Sequence, residues 1–479
     1  MIKWLNEIIF KFRDCFSRTA SFHWFAIVII WFMIRRDFQG LTGAIRDLFI
    51  SPHLYTSLLN FFHAKSWSIQ IIVKKWVQIV KESGCLAKKD GYYILLGDGI
   101  KKGKEGKRIP AVKKHHQESE NTTKPTYIFG HLFGVVGLLI GNETKKFCLP
   151  VSAQIQNGAN TIRDFGQREK NVDSHVVQMV KQCCQIAEIL QEPVISVLDR
   201  YFLTKNALET LQNFQKENPS NQVAILTRAK SSAVAHEKPI PKDKKGRGRP
   251  AEMGYKVKLN DLFKTKSQDF QSAKIVLYEK EVEVEYLCMN LLYNKNTQLR
   301  YVLVNYEGKK AILVCSDLSL NPITIIELYA SRQKIEATFK SLNQTMGGFD
   351  YHFWNKDIPK LDRYRKKDDV DPVANIRDEK VQKSIQTTLK AIEGYVTMAC
   401  IANGLLQMLS ILFSKELTLS SLRWLRTPSV STPSEATVSD FLQRNIQLEF
   451  FSLSPLTSFF TIIQIIRSKQ FFNFKRRAS

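Results

Sequence analysis

The 479-residue chain is too long for one simple core at ordinary domain sizes, so two or three structural units are expected. Lys and Arg number 70 against 45 Asp and Glu, and the resulting charge of +25 favours a polyanionic partner, nucleic acid first, with a membrane surface or ribosomal RNA as the other readings of charge alone. The eight cysteines include no C-x-x-C pair, which excludes the usual zinc clamp and redox motif and fits a reduced, intracellular setting.

Residues 1–88 read as a helical N-terminal domain, expected to bind DNA. Apolar residues recur at three- and four-residue spacing in Ile69, Ile72, Val73, Trp76 and Val80, and Ser51-Pro52 marks a helix break. The 16-residue run 19–34, TASFHWFAIVIIWFMI, falls just under the ~17 to 25 residues that span a bilayer, so a buried core helix is expected and no membrane partner. At Gly91 the pattern changes to YYILLGDG, a short apolar run that predicts a buried strand ending at Asp98. A low-order basic stretch follows from Lys101 to Lys124, with His115-His116 expected in a solvated loop. Tyr127 to Ile140 and Phe147 to Ile155 predict a hairpin around Gly141-Asn142, with His131 a satisfied core histidine.

Further on, Asp173 is placed to cap a helix over Val176 to Leu190, and PVISVLDRYF predicts a buried strand ending at Asp199. LTKNALETLQNF reads as helix and QVAILTRA as a strand ending near Arg228. Strands, then helix, strand, helix and strand make an α/β chain with a mixed sheet, in the order of a ribonuclease H-like fold. The core's first part is 89–229. Residues 230–321 change character: VKLNDLF, KIVLYEKEVEVEYLCMNLLY, RYVLVNYE and KKAILVCSD are all strand-like, which predicts a β-rich insertion. The core resumes over 322–420, with helices at Ile323 to Leu342 and Val381 to Phe413, before a basic C-terminal region, 421–479.

Asp98 and Asp199 each close a predicted buried strand, where a charge is costly unless a partner or a metal compensates it. The third carboxylate sits in ITIIELYASRQKIEATFKSLNQ. At helical spacing Tyr329, Arg332, Glu336 and Asn343 fall within roughly 60° of one another beside an apolar stripe of Leu328, Ile335, Phe339 and Leu342. Three carboxylates on rigid elements suit Mg²⁺, a hard cation that keeps some water, and two such ions support phosphodiester chemistry.

Tyr329-x-x-Arg332-x-x-x-Glu336 resembles the Y-x-x-R-x-x-x-E signature of DDE transposases encoded by bacterial insertion sequences, in the group with a β insertion before the Glu. The resemblance covers about 330 residues. It implies a transposase that cuts transposon ends and joins them to target DNA, with Asp98, Asp199 and Glu336 as catalytic metal ligands for two Mg²⁺ ions, Mn²⁺ substituting. It also implies phosphate contacts from Tyr329, Arg332 and Lys340, and DNA binding by Arg200 and Arg228. The signature usually continues with Lys seven residues after the Glu, and this chain has Asn343 there, with Lys340 one turn after Glu336. Arg247 and Arg249, in the run KKGRGRP, suit a DNA-facing loop of the insertion. The implied partners are double-stranded DNA, as terminal inverted repeats and target, and a second copy of the chain on that DNA, in the cytoplasm and associated with the nucleoid. The alternative is a degenerate or repurposed relative that binds DNA without cutting it.

Overall fold

A computed structural model describes residues 1–38, 40–117, 126–142, 145–165, 173–239, 251–277, 280–360, 372–420 and 432–451. The chain is mixed α/β, with a large mixed sheet of 13 strands. In order these are β1 Lys88–Lys89, β2 Tyr92–Gly103, β3 Lys113–His116, β4 Tyr127–Gly141, β5 Lys146–Ile155, β6 Val194–Leu198, β7 Val223–Arg228, β8 Val234–His236, β9 Lys256–Lys258, β10 Gln271–Leu277, β11 Lys280–Asn294, β12 Thr297–Tyr306 and β13 Lys309–Cys315. Two compact units share the chain. The first comprises Met1–Leu86, Gly99–Met179 and Ala337–Ser479, the second Ala87–Asp98 and Val180–Glu336.

The first unit is built around the 34-residue helix Glu379–Leu412, buried on nearly every side between Leu389 and Ser410. It packs on β5 and on the helices Thr19–Ile34, Tyr55–His63 and Ile69–Glu82. Close approach needs small residues: a Cβ on Gly404 would stand 2.6 Å from the Trp76 ring, and one on Gly394 2.6 Å from Trp67. Thr19–Ile34 is apolar all round and buries itself on the central helix, so the N-terminal helices pack within this first unit. Among the described residues one helix, Glu379–Leu412, is long and apolar enough to cross a membrane, and 89% of its most apolar window lies inside the protein.

The β4–β5 hairpin forms as expected, with Phe133 opposite Ile155 and Gly141 opposite Lys146. His115 and His116 are not in a solvated loop. They end β3, which pairs with β4, and His115 is buried with its Nε2 3.2 Å from the Gly130 carbonyl. Edge pairing supplies the backbone partners that a basic sequence alone does not advertise. His131 is the satisfied core histidine expected of it, 2.5 Å from the Tyr351 hydroxyl and 2.7 Å from the Pro110 carbonyl.

In the second unit the strand order is β2-β6-β7-β13-β12-β11-β8-β9, with β1 beside β2 and β10 beside β11. β6 runs parallel to both β2 and β7, and its five residues, VISVL, are all buried, as suits a strand covered on both faces. β13 joins β7 antiparallel, so the β-rich stretch continues the sheet that carries β6. VKLNDLF is only briefly extended: after β9 it turns through Leu259–Asp261 into the short helix Leu262–Thr265, tucking Leu259, Leu262 and Phe263 into a core with Leu291, Leu299 and Tyr301. At the helix His175–Leu190 the cap is Ser174, whose hydroxyl accepts from the Val177 amide, rather than Asp173.

Candidate active site

β2 and β6 pair in parallel register from Tyr93 opposite Val194 to Gly97 opposite Leu198. The next residues are Asp98 and Asp199, so the register itself brings the two carboxylates to the same level. Asp98 does not end its strand. β2 runs on to Gly103, its residues after Gly97 alternating between half-buried and exposed, the pattern of a strand with one face covered. Gly-Asp-Gly reads as a turn in sequence because both glycines permit one, and strand pairing overrides that preference. Asp199 follows β6 and precedes the 3₁₀ turn Arg200–Phe202, to which its side chain gives no capping bond; its carbonyl accepts from Thr227 Oγ1 at 2.8 Å.

The helix expected from Ile323 to Leu342 is two helices, Pro322–Ala330 and Gln333–Gln344. At the joint Ser331 Oγ donates to the Leu328 carbonyl at 2.6 Å, and the amides of Arg332, Lys334 and Ile335 each bond three residues back. A serine hydroxyl competing for a backbone carbonyl, with i→i+3 bonding beside it, tightens and breaks the helix without glycine or proline.

Arg332, at that joint, gathers the three predicted carboxylates. Its Nη2 lies 3.0 Å from Asp98 Oδ2 and 3.7 Å from Asp199 Oδ1, and its Nη1 lies 2.9 Å from Glu336 Oε1. Burial opposes the charge on Arg332, but Asp98, Asp199 and Glu336 outweigh it and push the guanidinium pKa up. Three carboxylates against one guanidinium leave a local excess of negative charge. The Arg332 Nε is buried and has no hydrogen-bond partner.

Tyr329 is half-buried beside this group. Burial raises its pKa; Arg332, Arg228 and Arg200 oppose that rise and Asp199 adds to it, which puts both predicted arginines in electrostatic reach of the phenol. Arg200 and Arg228 are exposed, Arg228 donating to the Lys310 carbonyl at 3.3 Å. Lys340 is exposed on the Gln333–Gln344 helix and belongs to the first unit. In that unit Asn343 accepts a hydrogen bond from Lys102, a residue that the sequence reading passed over. Its signal was there: Lys102 is four residues after Asp98 on β2, hence on the same face of the strand. Arg247 and Arg249 lie outside the described residues.

The donor set suits a hard divalent cation, since Asp98, Asp199 and Glu336 offer only carboxylate oxygens. The shared pairing of the Arg332 Nη atoms shows one cation already serving all three. Among the described residues no three His, Cys, Asp or Glu side chains stand in a ready-made metal-ligating group. Two Mg²⁺ ions would therefore be held by these three carboxylates only with Arg332 turned away from them. No family model, curated protein or solved structure matches the chain.

Proposed function

We propose that the protein is a DNA transposase of the DDE type, which cuts at transposon ends and transfers the freed strand to target DNA. On this reading the sheet of β2, β6 and β7 is the heart of a ribonuclease H-like core, and the stretch 230–321 is its β-rich insertion. The observation that supports it best is the meeting of Asp98, Asp199 and Glu336 at one guanidinium, from two register-matched strands and a helix distant in sequence.

Asp98, Asp199 and Glu336 would hold two Mg²⁺ ions, with Mn²⁺ as substitute; bound ions activate the nucleophile and neutralise charge building at phosphorus. The chain's own contribution is positional. Strands fix Asp98 and Asp199 against the sheet, while exposed Glu336 approaches from the helix. Arg332, once turned from the carboxylates, is a guanidinium donor for a phosphate oxygen, and Tyr329, Arg200 and Arg228 extend the same phosphate-facing surface. Lys340 adds positive charge one turn beyond Glu336. The partners are double-stranded terminal-repeat and target DNA and a second copy of the chain, in the cytoplasm on the nucleoid.

The deciding experiment compares purified wild type and Glu336→Ala on a terminal-repeat DNA in Mg²⁺. Cutting by the wild type alone supports the assignment, and equal cutting by both rejects it. A second reading, a degenerate transposase relative that binds DNA without cutting, is favoured by Asn343 at the position of the signature's lysine and by the carboxylates' existing pairing with Arg332. Tight, salt-sensitive binding of the repeat with no cutting in either metal would select it.

A further inference from the structure

A segment of the first unit, residues 351–356, alternates sharply in burial. Tyr351, Phe353 and Asn355 point inward and are buried, while His352, Trp354 and Lys356 face out. The inward side is firmly anchored: Asn355 Nδ2 donates to Ser384 Oγ and Thr388 Oγ1 at 2.9 Å each, and its amide donates to the Arg108 carbonyl at 2.9 Å. Trp354 is left 66% exposed on this fixed backbone. A single exposed apolar side chain is ordinary by itself, so what Trp354 can do rests on what flanks it.

Trp354 forms part of the wall of two depressions. One, a cleft of about 740 Å³, is also lined by Lys107, Arg108 and Lys360, with Glu105 its one acid. The other, about 450 Å³, carries Lys356, Lys380 and Lys383, the last paired with Glu379 at 3.2 Å, and one lining acid, Asp357, engaged by the Ser384 hydroxyl at 2.9 Å. Cations therefore stand on both sides of one exposed aromatic face. Nucleic acid presents that alternation, a flat base between charged phosphates, and only an unpaired base offers its face to an indole. A duplex buries its bases in the stack.

We propose that Trp354 and its flanking lysines and Arg108 form a track for an unpaired segment of a DNA strand, one base stacking on the indole and adjacent phosphates lying in the two depressions. The choice of DNA over RNA rests on the function proposed above; the track itself does not.

The test uses the full-length protein in EDTA, so that no cutting intervenes, with a single-stranded deoxyoligonucleotide of about eight nucleotides as probe. Quenching of Trp fluorescence and a Kd are read together. Trp354→Ala is expected to weaken binding about tenfold and remove the quench, and Trp354→Phe to recover most of the affinity. Affinity of Trp354→Ala equal to wild type, or no recovery with Phe, overturns the proposal. So does equal quenching by a fully paired duplex, tighter binding of the matching ribo-oligonucleotide, or a blue shift with anionic phospholipid vesicles in place of any response to the strand. Failure here leaves the cutting assay untouched, and a protein that fails to cut but shows the expected Trp354 effects retains the track.

Discussion

The Arg332 guanidinium stands between Asp98 and Glu336, 3.0 Å from Oδ2 of the first and 2.9 Å from Oε1 of the second. A phosphate and a pair of metal ions would compete for the two sides of this arrangement: the phosphate for Arg332, the ions for the carboxylates. DNA and metal should therefore bind with positive coupling, each releasing the partner that the other needs. Arg332→Ala is expected to bind Mn²⁺ more tightly than wild type without DNA, measured by calorimetry, and to lower the salt slope of DNA binding by ~1. Weaker Mn²⁺ binding in the variant would show that Arg332 organises the carboxylates instead of occupying their site.

Loss of cutting must be separable from loss of fold. The Glu336 side chain is 63% exposed, and its partner Arg332 sits four residues earlier at the helix joint, so the ion pair is worth at most ~1 kcal/mol. Glu336→Gln should unfold in urea within about 0.5–1 kcal/mol of wild type while losing cutting by a hundredfold or more, as expected for one member of a set that works as a unit. Asp98→Asn, which removes a half-buried partner of half-buried Arg332, should be the less stable of the two. The reverse ranking contradicts the packing described for Arg332.

The parts of this fold legible in the sequence are those that local pattern controls. VISVL is apolar throughout and ends at Asp199, and Gly141-Asn142 sits between two apolar runs, so the strand and the hairpin follow from sequence alone. The same apolar pattern predicts that the strand before Asp98 ends there, yet the strand continues through it to Gly103. What places Asp98 beside Asp199 is the pairing register of β2 with β6, a relation between residues about a hundred positions apart that carries no local signature. The joint at Ser331 was equally hidden, since serine and arginine are tolerable helix residues and the break depends on one hydroxyl choosing the Leu328 carbonyl. The pairing of Lys102 with Asn343, 241 residues away, likewise has no local signature, although the strand period alone puts Lys102 on the face of Asp98.

His131 supplies a pH prediction. Burial lowers its pKa from 6.5 to about 3, against the raising effect of the Pro110 carbonyl. Between those values the unfolded chain binds a proton that the native imidazole refuses, so this residue's contribution to stability is intact above pH 6.5 and is lost as pH falls toward 3. Urea midpoints at pH 7, 5 and 4 should fall more steeply for wild type than for His131→Gln, whose amide does not titrate. Parallel declines would mean that His131 is protonated in the folded protein or exposed to solvent.

Asn343 gives the last prediction, through Lys102. Restoring the signature's lysine with Asn343→Lys would set a second ammonium against a half-buried one whose pKa burial already lowers. Two such charges near 4 Å repel by roughly 4 kcal/mol at an effective dielectric of 20, and side-chain movement should reduce the measured cost to about 1–3 kcal/mol. The variant is expected to be less stable than wild type at pH 7, with the deficit shrinking as pH rises toward 10 and one amine loses its proton. Lys102→Gln combined with Asn343→Lys should recover most of the loss, because the glutamine oxygen can accept from the new ammonium. Full stability in the single variant would mean that Lys102 is free to swing away, and that the hydrogen bond to Asn343 does not hold it on the face of β2 that it shares with Asp98.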